Sequence, residues 1–449
     1  MKQKTDREWV LYIIMEVLEQ SEHEPEKHSD TILHQVFSEN ELTGQTKALI
    51  KRLSYGVIER KIELDYIINE FSKTKVKKMK PLIRNILRIG VYELRYMEQI
   101  PASATCNEAV KLVAKRGLHG LKGFVNGVLR TISREKDKMV LPDMGVRYSM
   151  PAWLVKKLIE DRGQDETLCI LKSFFETKPL TIRVNQSKVK IEHYIRKLEN
   201  DGIRWENGWY MKDALHILGN INAMELPGFQ DGEFVVQDES SMLPVLCAGI
   251  RPGQMILDLC ASPGGKTFQA AEYTGKNGTV YARDLTPYKV QKIQQNALRL
   301  KTENVLVSCS DATVFDESMQ GKADVVIADV PCSGIGIIGR KPDIKYHISK
   351  QRCEQLVKIQ RKILSQAVRY VKPGGVLMYS TCTISREENE ENVEYIMENF
   401  PFQCESMKRF LPESLRVYEK DGMLQMLPGV HKSDGFFVAR FICKGSGVE

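Results

Sequence analysis

Five short β-rich runs, separated mostly by helical stretches, constrain this chain more than any other feature. They are MILDLC (255–260), TVYARD (279–284), VLVSCSD (305–311), DVVIADV (324–330) and GVLMYST (375–381). Helical patterns at 266–273, 287–300 and 350–371 lie between most of them. Strand alternating with helix predicts a parallel sheet covered on both faces. Ligands of such sheets bind beyond the carboxyl ends of the strands. The polar residues at those ends are therefore the candidates for chemistry.

The run LDLCASPGGKT (257–267) carries a hydrophobic strand into a tight loop with adjacent glycines and on into a helix. Gly264 and Gly265 allow close backbone approach to a ligand, and the helix start offers free N–H groups. Cys260, Ala261, Ser262, Pro263, Gly264, Gly265 and Lys266 thus form a candidate cofactor loop. The pattern is not the dinucleotide fingerprint, nor a phosphate loop, whose upstream glycine would fall at Cys260. The next strands end near Asp284, Asp311 and Asp329. An acidic residue about 20 positions after such a loop suits the hydroxyls of a ribose, which points to Asp284. Three carboxylates at successive strand ends favour a ligand with a ribose, an amine and a positive centre. S-adenosylmethionine has all three.

Two further runs, ADVPCSGIGIIGRKPDIKY (328–346) and YSTCTISREENEENV (379–393), each place a cysteine just past a strand. A cysteine taken singly is usually a small buried hydrophobe. Two of them, in polar turns on the edge that carries the cofactor loop, point instead to reactive thiols. A free thiol titrates near ~8.5 and is only partly ionised at neutral pH. Arg340, Lys341 and Lys345 are the nearby cations in sequence available to lower that value.

Upstream the character differs. Residues 1–135 show helical spacing: Trp9, Ile13 and Val17, a long periodic segment from Gln45 to Phe71, and Leu82, Ile86 and Ile89 behind a helix-starting Pro81. Ala104 to Lys115 and Phe124 to Ile132 continue the pattern. Residues 154–175 read as one helix, 180–185 as a strand and 189–200 as a helix. IRWENGWYM (203–211) reads as a hairpin turning at Asn207-Gly208. Trp205, Trp209 and Tyr210 there could stack on bases or simply pack. The expected organisation is multidomain. An all-α domain spans 1–138 and a small α+β subdomain spans 139–235. An α/β Rossmann-like domain spans 236–449.

The net charge is +7, mildly basic for 449 residues. Its distribution says more than its sum. Residues 66–140 hold 16 Lys and Arg against 6 Asp and Glu, densest at Lys73, Lys75, Lys77, Lys78 and Lys80. Residues 340–372 hold ten basic residues against Asp343 and Glu354. The acidic stretch Glu387 to Glu398 offsets this second run. Two basic stretches permit a polyanionic partner such as RNA. No apolar run approaches the ~18–20 residues of a membrane helix, so no membrane association is expected. Ten cysteines include no C-x-x-C pair, which removes the usual zinc spacing, and no metal is expected. Scattered thiols suit a reducing cytoplasm. Nothing calls for more than a monomer.

The segments RNILRIGVYELRYMEQIP (84–101), NEAVKLVAKRG (107–117) and FVNGVLR (124–130) resemble the NusB-type RNA-binding fold. CASPGGKT, DVPCSG and YSTC, in this order, are similar to the motifs of the RNA 5-methylcytosine methyltransferases of the Sun family. The likeness runs almost end to end. Ser262 and Val330 stand where alanine is more usual. The resemblance implies a NusB-like helical domain, a small RNA-binding subdomain and a methyltransferase domain using S-adenosylmethionine. It implies methylation of C5 of a cytosine in small-subunit (16S) rRNA. It further implies that Cys382 is the nucleophile, that Cys332 assists product release, and that Asp329 lies between cofactor and base. Cys260 to Lys266, Asp284, Asp311 and Asp329 would bind the cofactor. A tRNA cytosine-C5 methyltransferase is the alternative within enzymes. A non-catalytic RNA-binding assembly or antitermination factor is the alternative outside them.

Overall fold

The computed structural model describes residues 4–20, 27–219 and 221–444. The chain divides into two compact units, Met1–Lys172 with Arg340–Ser349, and Ser173–Gly339 with Lys350–Glu449.

The first unit is helical. It contains α1 (Asp6–Leu18), α2 (Ser29–Glu39), α3 (Gly44–Phe71), α4 (Pro81–Tyr96), α5 (Ala102–Lys115), α6 (Lys122–Glu135), α7 (Met144–Arg147), α8 (Ala152–Arg162) and nearly all of α9 (Gln164–Ser173). Pro81 opens α4 as its sequence predicts. Val10 and Ile14 of α1, Leu53 and Val57 of α3, Ile86 and Leu87 of α4, and Leu129 of α6 share one core. α4 also buries three polar residues, Asn85, Arg88 and Glu93. Arg88 forks onto Asp65 through two 2.7 Å bonds. Glu93 accepts from Arg7 and Thr105, each at 2.8 Å. Such groups are tolerated inside because each is paired. The helix expected over 154–175 is two helices, because Gly163 takes φ +80 and breaks it. Between α3 and α4, Val76 and Met79 turn inward while Lys73, Lys75, Lys77, Lys78 and Lys80 are exposed.

Arg340–Ser349 joins this helical unit and includes the short helix α14 (Ile344–His347). Lys345, buried, donates to the Glu59 carbonyl at 2.6 Å, and the Tyr346 hydroxyl donates to the Ile58 carbonyl at 2.8 Å. Asp343 accepts from Ser29 Oγ at 2.5 Å and lies 3.1 Å from His28 Nδ1. Burial opposes its ionisation, but the bonds from His28 and Ser29 outweigh that and hold its carboxyl below the usual range. His28, Asp343 and His347 cluster within 4.8 Å by their ligand atoms, and Asp343 is committed there to the contacts with His28 and Ser29 that anchor the segment. Lys345 is thus buried within the helical unit and bonded to a helix carbonyl.

The second unit holds two sheets. Strands β1 (Leu180–Val184), β2 (Trp205–Asn207), β3 (Ala214–Ile217) and β4 (Phe234–Val236) form an antiparallel sheet in the order β2-β3-β1-β4, with α10 (Ile191–Asn200) following β1. Tyr194 and Leu198 of α10 pack with Ile182, Leu215 and Phe234. The expected hairpin exists, but its second strand is not 209–211. β2 pairs with 215–217 instead. The reason is Glu239, whose carboxylate accepts the N–H groups of Trp209, Tyr210 and Met211 at 2.7–2.9 Å and bends them into a loop.

The larger sheet contains β5 (Met255–Asp258), β6 (Thr279–Asp284), β7 (Val305–Cys309), β8 (Ala323–Asp329), β9 (Val371–Thr381), β10 (Phe402–Cys404), β11 (Met423–Met426) and β12 (Phe436–Cys443). Its order is β10-β12-β9-β8-β5-β6-β7, with β11 beside β12. β5 to β9 pair in parallel; β12 pairs with β9, β10 and β11 in antiparallel fashion. The sheet is thus mixed rather than purely parallel, with the antiparallel strands following the last sequence-predicted one. Helices α11 (Glu239–Ala248), α12 (Gly265–Thr274), α13 (Pro287–Arg299), α15 (Lys350–Tyr370) and α16 (Glu390–Asn399) accompany it. The strand order reverses at β5, so a ligand crevice opens beside that strand.

The compact units divide elsewhere than at 138/139 and 235/236. α7 and α8 fall with the helical unit, while 173–235 falls with the larger sheet. Fully buried Arg183 of β1 accounts for the second fact. It reaches Glu272 of α12 at 2.7 Å and Gln237 at 3.0 Å.

Candidate active site

Parallel pairing explains why distant residues meet. Asp329 of β8 stands opposite Ser380 of β9. Cys332 and Cys382 each follow that register point by two or three residues, so both emerge at one edge. Their sulfurs lie 3.2 Å apart. β5 flanks β8 on the other side, which delivers the loop after Asp258 to the same place.

Asp329 is held from both sides. Ser380 Oγ donates to one oxygen at 2.7 Å, and Lys266 Nζ to the other at 2.7 Å. Lys266 also donates to Ser241 Oγ at 2.9 Å. The loop lysine therefore orients the carboxylate at the reaction centre rather than serving a phosphate. Sequence reasoning placed Lys266 in the loop but missed this partner, and missed Ser380 and Ser241.

The loop itself is built tightly. Gly264 has φ +111, and a Cβ there would sit 2.3 Å from Phe268, so the first turn of α12 requires glycine. Asp284 Oδ2 accepts the Ser262 N–H at 2.9 Å, and Oδ1 accepts the Leu285 N–H at 2.8 Å. Asp284 is buried at the end of β6 and clasps the loop. Asp311 is exposed beyond β7 and is held in a turn by Thr313, whose bonds lower its carboxyl below the usual value. It follows β7, three strands along the sheet from the β8 strand of Asp329. The residues thus form two groups. Lys266, Asp329, Cys332 and Cys382 converge, while Asp284 and then Asp311 extend along the sheet edge.

Electrostatics single out the Cys260 and Cys332 thiols and the Asp258 carboxyl. Burial, and the charges of Asp258, Asp284 and Asp329, push the Cys260 thiol far up, so it stays protonated. The Cys332 thiol is raised by its hydrogen bond to Cys382, by burial, and by the charges of Cys382 and Glu388. Cys332 therefore keeps its proton, within hydrogen-bond reach of the Cys382 sulfur. Asp258 is fully buried, with Oδ2 taking Thr267 Oγ1 at 2.6 Å. Burial pushes its carboxyl to about 7, although Thr267 opposes this.

These features fit S-adenosylmethionine. Oδ1 of Asp258 is buried and has no hydrogen-bond partner among the described residues. Asp258, Asp284 and Asp329 surround a glycine loop, an acidic cradle suited to a cationic ligand with a ribose. Cys260 to Lys266 would face that ligand.

Comparisons with known proteins agree. Residues 246–442 match the family model described as 16S rRNA methyltransferase RsmB/F, residues 4–134 the NusB family, and residues 150–223 the RsmF/B-like ferredoxin-like domain. A Bacillus subtilis protein described as a probable ribosomal RNA small subunit methyltransferase B is 37% identical, covering 93% of this chain and 95% of its own. A Synechocystis protein of the same description is 31% identical over 92% and 95%. The crystal structure of PH0851 shares the fold over 98% of this chain and 99% of its own, with TM-score 0.79 at 24% identity. A crystal structure of NSun6 from Pyrococcus horikoshii with SFG covers 65% of this chain and 98% of its own, with TM-score 0.59 at 21% identity. On the near end-to-end identity to these curated relatives, the chain belongs to the 16S rRNA methyltransferase RsmB/F family.

Proposed function

We propose that this enzyme methylates C5 of a cytosine in small-subunit (16S) rRNA, with Cys382 as its nucleophile. The observation that carries the reading is the convergence of Cys382, Cys332 and the Lys266–Asp329 pair at one sheet edge. S-adenosylmethionine, held by residues 260–266 with Asp284, Asp311 and Asp329, supplies an electrophilic methyl group when bound. C5 of cytosine is a poor nucleophile. Addition of the Cys382 thiolate to C6 turns the ring into an enamine and makes C5 reactive. The Asp329 carboxylate, fixed by Lys266 and Ser380, accepts from the exocyclic amine and holds the base in place as the thiolate adds. Once C5 has lost its proton, elimination of Cys382 frees the product. Cys332, a protonated thiol beside the leaving sulfur, assists that release.

The three parts, 1–138, 139–235 and 236–449, serve as RNA-binding domain, adaptor and catalyst. The exposed lysines at 73–80 suit a phosphate backbone. The other basic run is divided. Lys345 is buried, Lys372 is 2.9 Å from Asp324, and Arg361 bonds Asn392, which leaves Lys350, Arg352, Lys358, Lys362 and Arg369 exposed on α15. A target base in a loop or bulge saves the few kcal/mol of extruding it from a helix. Ten free thiols suit the reducing cytoplasm, where the enzyme acts as a monomer.

Bisulfite sequencing of rRNA and tRNA from cells lacking the gene tests the assignment. Loss of one 16S rRNA cytosine signal is expected. An unchanged rRNA pattern with a missing tRNA site would transfer the activity to tRNA.

A further inference from the structure

Glu388 sits in the acidic run behind the two cysteine turns, yet it is fully buried. Its Oε2 accepts the backbone N–H of Ser333, next to Cys332, at 2.9 Å, and Gln360 Nε2 at 2.9 Å. Its Oε1 lies 3.5 Å from Thr383 Oγ1, next to Cys382. Ser333 Oγ and Thr383 Oγ1 are themselves bonded at 2.8 Å, which closes a ring across both turns. Gln360 completes the grip by donating to the Pro331 carbonyl at 3.0 Å, and its own oxygen accepts Asn392 Nδ2 at 2.9 Å. The Glu388 carbonyl accepts the Tyr379 hydroxyl, from β9, so the residue is fixed at main chain and side chain alike.

We infer that Glu388 is a positioning residue, whose carboxylate sets the turn of Cys332 against the turn of Cys382. The inference rests on the roles given above to those two cysteines. A buried carboxylate is costly unless bonded, and burial pushes this one above the ordinary range. An apolar side chain would fill the space without that cost, but it could not join two turns 50 residues apart in sequence. Nothing else among the described residues bonds the Ser333 N–H. Without Glu388 the Ser333 N–H loses its partner and Gln360 Nε2 one of its two acceptors, the two sulfurs shift apart, and the step that depends on Cys332 slows first.

Wild type, Glu388→Ala, Glu388→Gln and Cys332→Ala are incubated with a full-length 16S rRNA transcript and S-adenosylmethionine. Turnover is measured, and adduct is scored on denaturing gels. Glu388→Ala is expected to lose about 10- to 100-fold in kcat. Its KM for S-adenosylmethionine should stay near the wild-type value, and it should accumulate a denaturation-resistant protein–RNA adduct, as Cys332→Ala does. Glu388→Gln keeps the shape and an acceptor oxygen, and should restore most turnover with little adduct. A role confined to stability would lower activity without adduct and would overturn the inference, as would wild-type turnover in Glu388→Ala. Should Glu388→Ala not fold, Thr383→Val decides. Adduct accumulation there supports the inference, and wild-type behaviour overturns it. If Cys332→Ala traps nothing, the role given to Cys332 fails and the inference with it. If Cys332→Ala traps RNA and Glu388→Ala does not, the inference alone fails.

Discussion

Asp258 carries a carboxyl raised to about 7 by burial beneath the cofactor loop, with the charges of Asp329 and Asp284 adding to the effect. In the unfolded chain the same group titrates near ~3.9. Between those values the folded state binds a proton that the unfolded state has lost. Stability contributed by this site therefore falls as pH rises from about 4 to about 7, at up to about 1.4 kcal/mol per pH unit. Asp258→Asn keeps an acceptor for Thr267 and removes the titration. Its melting temperature, relative to wild type, should climb as pH rises through that window. Parallel curves for the two proteins would mean that Asp258 is ionised in the folded state. Individual residue types were legible at this scale only where a motif flagged them. Cys332, Cys382, Asp329 and the loop stood out because each follows a recognisable strand. The Lys266–Asp329 pairing, Ser380 and Glu388 did not, because partnership across strands depends on register. Glu388 was masked further, since an acidic run reads as a solvated surface until burial singles one residue out.

Elements were legible where their period was strong. The five parallel strands and the helices between them follow from alternation of β-rich and amphipathic runs. β10, β11 and β12 did not stand out, since two of them are only three or four residues long and their pairing is antiparallel. The hairpin's far strand was misplaced because the competing bonds come from Glu239, about 30 residues away. The segment 340–349 looked like part of a basic stretch near the thiols. Its side chains instead anchor it to α2 and α3 through Asp343, Lys345 and Tyr346. The turn before α4 does keep its charge outward, and a prediction belongs there. Replacing Lys73, Lys77 and Lys78 with glutamine should flatten the dependence of log affinity for 16S rRNA on log salt concentration. Each phosphate that these lysines no longer neutralise takes about 0.7–0.9 off the slope. Filter binding across a salt series checks it, and an unchanged slope would make these lysines a solvated face.

For the whole molecule, order along the chain and order in space differ. The proposed catalytic centre is assembled from the ends of β5, β8 and β9, and only the strand order makes Asp329, Cys332 and Cys382 neighbours. The small sheet belongs physically with that centre through Arg183, and the helical unit recovers a loop from the catalytic region. Multidomain architecture and cofactor class were readable from residues because both depend on local pattern. The compact-unit boundaries were not, since they depend on which side chains are bonded across the chain. The central claim is that Cys382 attacks the base while Cys332 releases it. Its most direct test is to incubate Cys332→Ala with 16S rRNA and S-adenosylmethionine, digest the trapped complex, and locate the nucleotide-bearing residue by mass spectrometry. The account predicts a cytosine-derived mass on Cys382, absent from the Cys332→Ala, Cys382→Ala double variant. A nucleotide attached to any other residue, or no adduct from an otherwise cofactor-binding Cys332→Ala protein, would contradict it.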